Sequence, residues 1–224
     1  MSNPSLLDVQ DLVVEFPVDG GRQAAVDGID LTVEEGRILG LVGESGCGKS
    51  LTALALLDLV PPPGRLVSGA VRLDGEDLLG LPARQRRRFR GAGLAYVPQE
   101  PGPALNPVLK VGSQIADVVR AHREVSRAEA RAEAVRALDR VGIPQSRRRV
   151  NAYAHELSGG MKQRALIALA LAARPRVLLA DEPTTAVDVT LQAGLLKLLR
   201  SLVDDGEVGA VVLITHDWAV VANA

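Results

Sequence analysis

The sequence predicts an α/β fold, a parallel sheet interleaved with helices and preceded by an antiparallel β part. Three observations point there. Short apolar runs at Ile38–Val42, Val177–Asp181 and Ala210–Thr215 read as buried strands, each followed by polar or helix-like sequence. Two longer runs, 6–16 and 24–33, are joined by a turn through Gly20-Gly21 and read as paired strands. The interval 102–156 lacks strand alternation, and SRAEARAEAVRALDRVGI within it spaces Ala, Glu and Arg at helical intervals. A length of 224 residues suits one large domain, or one domain carrying a small inserted subdomain.

The elements follow in order. After the β pair, Ile38–Val42 ends on Gly43, and a helix runs from Lys49 to about Leu59, where Pro61-Pro62-Pro63 stops it. A hairpin covers 67–79 with Asp74-Gly75 as its turn. The helical insert 102–156 comes next, then a helix from 159, strand Val177–Asp181, a helix over about 190–204, and strand Ala210–Thr215 leading to His216. No internal repeat or low-complexity linker is present, so the pattern fits one unit.

Composition narrows the function classes. The chain is 47% hydrophobic and 24% charged with a formal net charge of −1, so no global basic field points to nucleic acid. The local clusters Arg84, Arg86, Arg87, Arg88, Arg90 and Arg147, Arg148, Arg149 are expected to be solvated helix faces or turns. A single cysteine, Cys47, excludes a disulfide within the chain, and the isolated His122, His155 and His216 offer no zinc-ligand spacing. A reducing compartment is expected. MSNPSLLDVQD has no basic segment leading into an apolar run, so no secretory signal is read there. The longest apolar run, ALIALALAA at 165–173, is half the roughly 18 residues that span a bilayer, so any membrane role is expected to be peripheral.

GESGCGKS at 43–50 fits G-x-x-x-x-G-K-[ST] and stands between a predicted strand and a predicted helix. Its glycines let backbone N–H groups turn inward around phosphate oxygens, and the helix N-terminus adds positive potential. Lys49 can reach the β- and γ-phosphates, and the Ser50 hydroxyl is a hard oxygen ligand for Mg²⁺. The glycine order differs from the dinucleotide fingerprint G-x-G-x-x-G, and Cys47 serves as a small residue in the loop. Small-molecule kinases, GTPases and motor ATPases share such a loop, so it names no reaction by itself.

The strand VLLADEP ends on two acids. Asp181 is placed to hold Mg²⁺ through water, and Glu182 to orient or deprotonate an attacking water. Gln99 after AYVP and His216 after VVLIT also sit where strands stop. In a parallel sheet those C-terminal ends converge on a ligand crevice, so both are expected to face the γ-phosphate. LSGGMKQR at 157–164 starts a second helix with Ser158 as its cap. A Gly-Gly pair in a first turn weakens a helix unless something must approach the backbone closely. A second anion cradle of this kind suits another molecule's nucleotide, with two chains meeting head to tail.

These segments carry a resemblance. GESGCGKS, Gln99, LSGGMKQR, VLLADEP, Asp188 and His216 occur in the order seen in ABC-type ATPases, and the chain resembles that family over nearly its whole length. The resemblance implies a P-loop NTPase of the ABC nucleotide-binding type, with a core of about 1–101 and 157–224 and a helical subdomain of about 102–156. It implies ATP and Mg²⁺ as cofactors. Gly43, Glu44, Ser45, Gly46, Cys47, Gly48, Lys49, Ser50, Leu51 and Thr52 would contact the nucleotide, and Phe16 would stack on adenine. Ser158, Gly159 and Gly160 would bind the γ-phosphate in trans, and Asp188 would communicate across the dimer. Lys49, Gln99, Glu182 and His216 would form the catalytic set, with Ser50, Gln99 and Asp181 around the metal.

A narrower resemblance joins AVDGIDLTVEEGRILGLVGESGCGKSLTALALL, LVSGAVRLDGEDLL, PALNPVLKVGSQI, HELSGGMKQR and ADEPTTAVDVTLQ to the ATP-binding subunits of peptide and nickel importers. It implies a sister ABC ATPase as partner, a heterodimer more than a homodimer because SLTALALL looks closer to the first of two such subunits. It also implies two membrane permease subunits contacted through 99–115 and the helical insert, an indirect link to a solute-binding protein, no nucleic acid, and a peripheral place at the cytoplasmic face of the membrane. Relatives continue beyond the VVANA end with a β-rich segment and a tail, which are expected to be absent here. Trp218 is expected to pack. Two other readings fit less: a non-transport ABC ATPase of DNA repair, chromosomes or ribosomes, and a P-loop kinase. The first usually carries tandem units, long coiled coils or zinc modules; the second leaves LSGG, Gln99 and His216 without purpose.

Overall fold

In the computed structural model, residues 5–183 and 189–218 are described. Asp188 lies outside them. The chain opens with β1 (Ser5–Val18) and β2 (Gly21–Glu34), an antiparallel pair closed at Val18↔Gly21. Then come β3 (Ile38–Val42), α1 (Lys49–Leu56), β4 (Arg65–Leu73), β5 (Glu76–Asp77), α2 (Ala83–Arg86) and β6 (Leu94–Val97). A helical stretch follows: α3 (Pro101–Ala104), α4 (Val111–His122), α5 (Arg127–Arg140) and α6 (Ser146–Arg149), then a 3₁₀ turn at Ala154–Glu156. The chain returns through α7 (Gly159–Leu171), β7 (Val177–Asp181), α8 (Val189–Asp204) and β8 (Ala210–Thr215). These strands build two sheets, β2-β1-β4-β5 with antiparallel pairing and β3-β8-β7-β6 with parallel pairing.

The parallel sheet explains why its strands are apolar along most of their length. Leu178, Ala180, Val211 and Leu213 enter a core shared with α4, α5, α7 and α8. Val177, Leu179, Val212 and Ile214, one step out of phase, enter a second core shared with α1 and the antiparallel sheet. A strand covered on both faces has no solvated side on which a polar alternation could persist.

Helix ends are set by specific groups. Helix α1 stops at Leu56, ahead of the expected limit at Leu59. Arg90 donates from Nε to Leu57 O at 2.8 Å and from a terminal nitrogen to Asp58 O at 2.8 Å, taking up carbonyls the helix leaves over. Arg86 also meets the Asp58 carboxylate, at 3.4 Å. Two members of the arginine cluster are therefore ties to α1, whereas Arg84, Arg87 and Arg88 are exposed as expected. Helix α5 starts with a reciprocal cap, Glu129 N–H donating to Ser126 Oγ and Ser126 N–H to Glu129 Oε2. Ser126→Ala removes half of it, and thermal melting is expected to fall by about 2–4 °C.

Arg176, just before β7, ties the layers together. Its guanidinium forks onto both oxygens of Asp74, at 3.0 and 2.9 Å, and reaches Glu35 at 3.0 Å. Hydrogen bonding from Arg176 holds the Asp74 carboxyl below its ordinary value. The stabilisation this gives is present above the ordinary carboxylate pKa and is lost as pH falls through the lowered one. Trp218 does not pack: it is 74% exposed, because it follows the strand-end residues His216 and Asp217 beyond the sheet edge, where neither core reaches. Among the described residues no helix is long and apolar enough to cross a membrane.

Candidate active site

Parallel pairing aligns the C-terminal ends of β3, β8, β7 and β6 along one edge, and each end delivers a residue of chemical interest. Strand β3 runs into the loop 43–50, β8 into His216, β7 into Asp181 and Glu182, and β6 into Gln99. The register pairs Val42 with Thr215, Asp181 with Ile214 and Val97 with Ala180, so these ends are nearly level.

The loop is shaped by close approaches. Gly48 has φ 95°, and a Cβ there would lie 2.5 Å from Ala25 O of β2. At Gly43 a Cβ would meet Cys47 Sγ at 2.8 Å. The Lys49 side chain is buried in the loop, with Nζ donating to Gly43 O and Glu44 O at 2.7 Å each and 3.7 Å from Cys47 Sγ. Its ammonium occupies the loop's own carbonyls, and an incoming phosphate offers stronger, charged acceptors. The N-cap of α1 is Gly48, which has no side chain to cap it, so the first N–H groups of the helix meet no competing acceptor from the N-cap.

Glu44, Ser45, Gly46, Cys47 and Ser50 are exposed. Leu51 is half-buried against the second core. Thr52 is buried, with its hydroxyl donating to Gly48 O at 3.0 Å, within the first turn of α1. The difference from Ser50 is a matter of helix phase, since two residues on, a helix has turned by more than half a revolution.

Three strand ends meet at Glu182. Gln99 Nε2 donates to Glu182 Oε2 at 2.9 Å, and His216 Nδ1 lies 3.0 Å from Glu182 Oε1. The Glu182 side chain is only 12% exposed, against 54% for His216, so the acid is enclosed and the imidazole stands at its mouth. With Nδ1 turned to the carboxylate, His216 presents Nε2 outward. The backbone at Glu182 is left-handed, φ 41°, and its N–H donates to Ile214 O at 2.8 Å, which pins the residue to β8. That conformation is uncommon for a residue with a side chain.

Asp181 is 1% exposed, and its Oδ2 accepts from the Tyr96 hydroxyl at 2.7 Å. Burial, and then Asp181, push the Tyr96 hydroxyl far above its ordinary pKa, so it remains a donor. The other oxygen, Asp181 Oδ1, is buried with no hydrogen-bond partner among the described residues. Sequence reasoning did not single out Tyr96. Its one signal was position, three residues before Gln99 on the strand neighbouring Asp181.

Two further expected groups stand apart from these contacts. Ser158 is exposed and caps α7 by accepting from Met161 N at 3.4 Å, and a Cβ at Gly159 would meet nothing within 4 Å. This helix start follows the 3₁₀ turn and does not come from a strand end. Phe16, in β1, lies with its ring over Gly64, where a Cβ would come within 2.4 Å of Cζ.

A family described as ABC transporter matches residues 26–185. The chain is 44% identical over 219 residues to the oligopeptide transport ATP-binding protein OppD of Bacillus subtilis, covering 97% of this chain and 61% of that protein. Against OppD of Salmonella typhimurium it is 45% identical, covering 97% and 64%. Against a probable peptide ABC transporter ATP-binding protein of Sinorhizobium fredii it is 50% identical, covering 99% and 67%. The chain thus spans about two thirds of the length of these relatives. Among solved structures, it matches a dimeric post-hydrolysis ATP-binding cassette bound to ADP and Pi with TM-score 0.82 at 26% identity, covering 97% of this chain and 91% of that one. A dimeric bacterial ABC transporter cassette matches with the same score and identity.

Proposed function

Because the chain belongs to the ABC transporter family, we propose that it is an ATP-binding and ATP-hydrolysing subunit powering import of di- or oligopeptides. The observation that carries the reading is Glu182, enclosed at a strand end and held by Gln99 and His216 beside a phosphate loop. The names of the relatives, oligopeptide transport and peptide ABC transporter ATP-binding proteins, support peptide as the solute.

The loop N–H groups and α1 hold the triphosphate, and the Lys49 ammonium exchanges Gly43 O and Glu44 O for β- and γ-phosphate oxygens. Glu182 takes a proton from water as the water oxygen bonds to the γ-phosphorus. The bond to the β–γ bridging oxygen breaks, giving ADP and phosphate. Gln99 and His216 fix the Glu182 carboxylate between them, and His216 Nε2 faces the γ-phosphate. The residues present fit Mg²⁺: the Ser50 hydroxyl, the Gln99 amide oxygen and the buried Asp181 Oδ1, unpartnered among the described residues, are hard oxygen donors. Among the described residues no group of three or more His, Cys, Asp or Glu could hold a metal alone, which suits an ion that arrives with nucleotide phosphates. When bound, Mg²⁺ neutralises charge on those phosphates.

Ser158 and Gly159, both exposed, and the half-buried Gly160 lie away from strand ends and serve the γ-phosphate bound by a sister ATPase, so a heterodimer closes around two nucleotides. The helical subdomain at 102–156 and the loop after Gln99 dock on two permease subunits at the cytoplasmic face of the membrane, and a solute-binding protein delivers the peptide. Pull-down of a tagged chain from gently solubilised native membranes, read by mass spectrometry, tests this. Two multi-span permeases and a second ATPase are expected. Recovery of nucleic-acid-processing or ribosomal proteins in their place overturns the import reading.

A further inference from the structure

We propose that Tyr96 is a positioning residue for the cation site: it anchors Asp181 by one oxygen and so keeps the other bare for a nucleotide-bound divalent cation. The inference rests on reading the site as one for a magnesium nucleotide, and it adds a residue that the motifs do not contain. Tyr96 and Asp181 come from neighbouring parallel strands, with Tyr96 level with Leu179 and Asp181 two residues further along. The hydroxyl therefore reaches forward along the sheet to Asp181 Oδ2, at 2.7 Å.

The chemistry of this partner is what points to a cation. Asp181 is almost wholly buried, and a buried carboxylate normally has a cation or several donors around it. Among the described residues it has one neutral donor, on one oxygen, while Oδ1 has none. An arginine or lysine in place of Tyr96 would orient the carboxylate too, but would also neutralise it. A phenol fixes the rotamer and leaves the charge for the metal, as outer-shell partners of metal-binding carboxylates do.

The test is Tyr96→Phe in the full chain, read by the melting shift that ATP induces as Mg²⁺ is titrated, beside ATP binding in EDTA. The Mg²⁺ concentration giving half the shift is expected to rise about tenfold, with ATP binding in EDTA unchanged. Tyr96→Met, which also lacks the hydroxyl, is expected to behave alike. In an Asp181→Asn background the same Tyr96→Phe change is expected to leave the Mg²⁺ midpoint where Asp181→Asn alone puts it. A Tyr96→Phe chain that melts lower without nucleotide but keeps the native Mg²⁺ midpoint overturns the proposal, since the hydroxyl is then packing alone. An equal additional loss in the Asp181→Asn background overturns it as well. If the native chain shows no Mg²⁺-dependent ATP shift, the nucleotide reading itself fails, and that outcome is distinct from either.

Discussion

Glu182→Gln is expected to leave ATP binding intact and to lower turnover by about 10²–10⁴-fold, the range a positioned general base contributes. The substitution keeps the length and shape of the side chain. Its amide can still meet Gln99 and His216, which now lie 2.9 and 3.0 Å from the two carboxylate oxygens. What it removes is the proton acceptor. Binding is expected to be untouched, because the proposed phosphate contacts come from 43–50 and the start of α1. Equilibrium ATP binding and steady-state phosphate release, measured on the same preparation with its partner ATPase, separate the two effects. Turnover within threefold of the native chain would place the base elsewhere.

Gly48→Ala is expected to lose nucleotide binding by at least about 100-fold. Two effects combine at this residue. A left-handed backbone costs a residue with a side chain about 1–2 kcal/mol, and the new methyl would stand 2.5 Å from Ala25 O, with Val26 Cγ2 at 3.5 Å on another side. The obstacle at 2.5 Å is a backbone carbonyl of β2, which cannot rotate away, so the loop must move instead. A displaced loop misaims the N–H groups that hold phosphate. Gly46→Ala separates the two effects, since Gly46 has φ 85° but would place its methyl in open space. It is expected to weaken binding far less. Equal losses at both positions, in titrations with ATP, would show that strain alone acts and that contact with β2 is immaterial.

Much of this site could be read from the chain because each strand carries its chemistry at its own end. VLLAD, AVVLIT and ILGLV are apolar through most of their length, and the candidate site residues stand at or just past the end of each. Local pattern does not encode which strand lies beside which. Strand β8 is last in the chain yet runs between β3 and β7, and that placement brings His216 to Glu182. The Tyr96–Asp181 contact joins residues 85 positions apart and has no motif to announce it. Arg90 looked like one more solvated arginine, and only the path of the chain beyond α1 makes it a cap. The burial of Thr52 is a local matter by contrast, following from its place two residues past Ser50 on α1.

The left-handed backbone at Glu182 sets protein durability against the proposed catalytic role at a single codon. Glycine would adopt φ 41° without penalty and asparagine with little, so the native acid is among the less comfortable residues for that turn. Either replacement should raise resistance to heat and abolish hydrolysis in the same stroke. A selection for thermostable variants that ignores ATP consumption would accordingly enrich changes at position 182, and its most robust survivors would be inert.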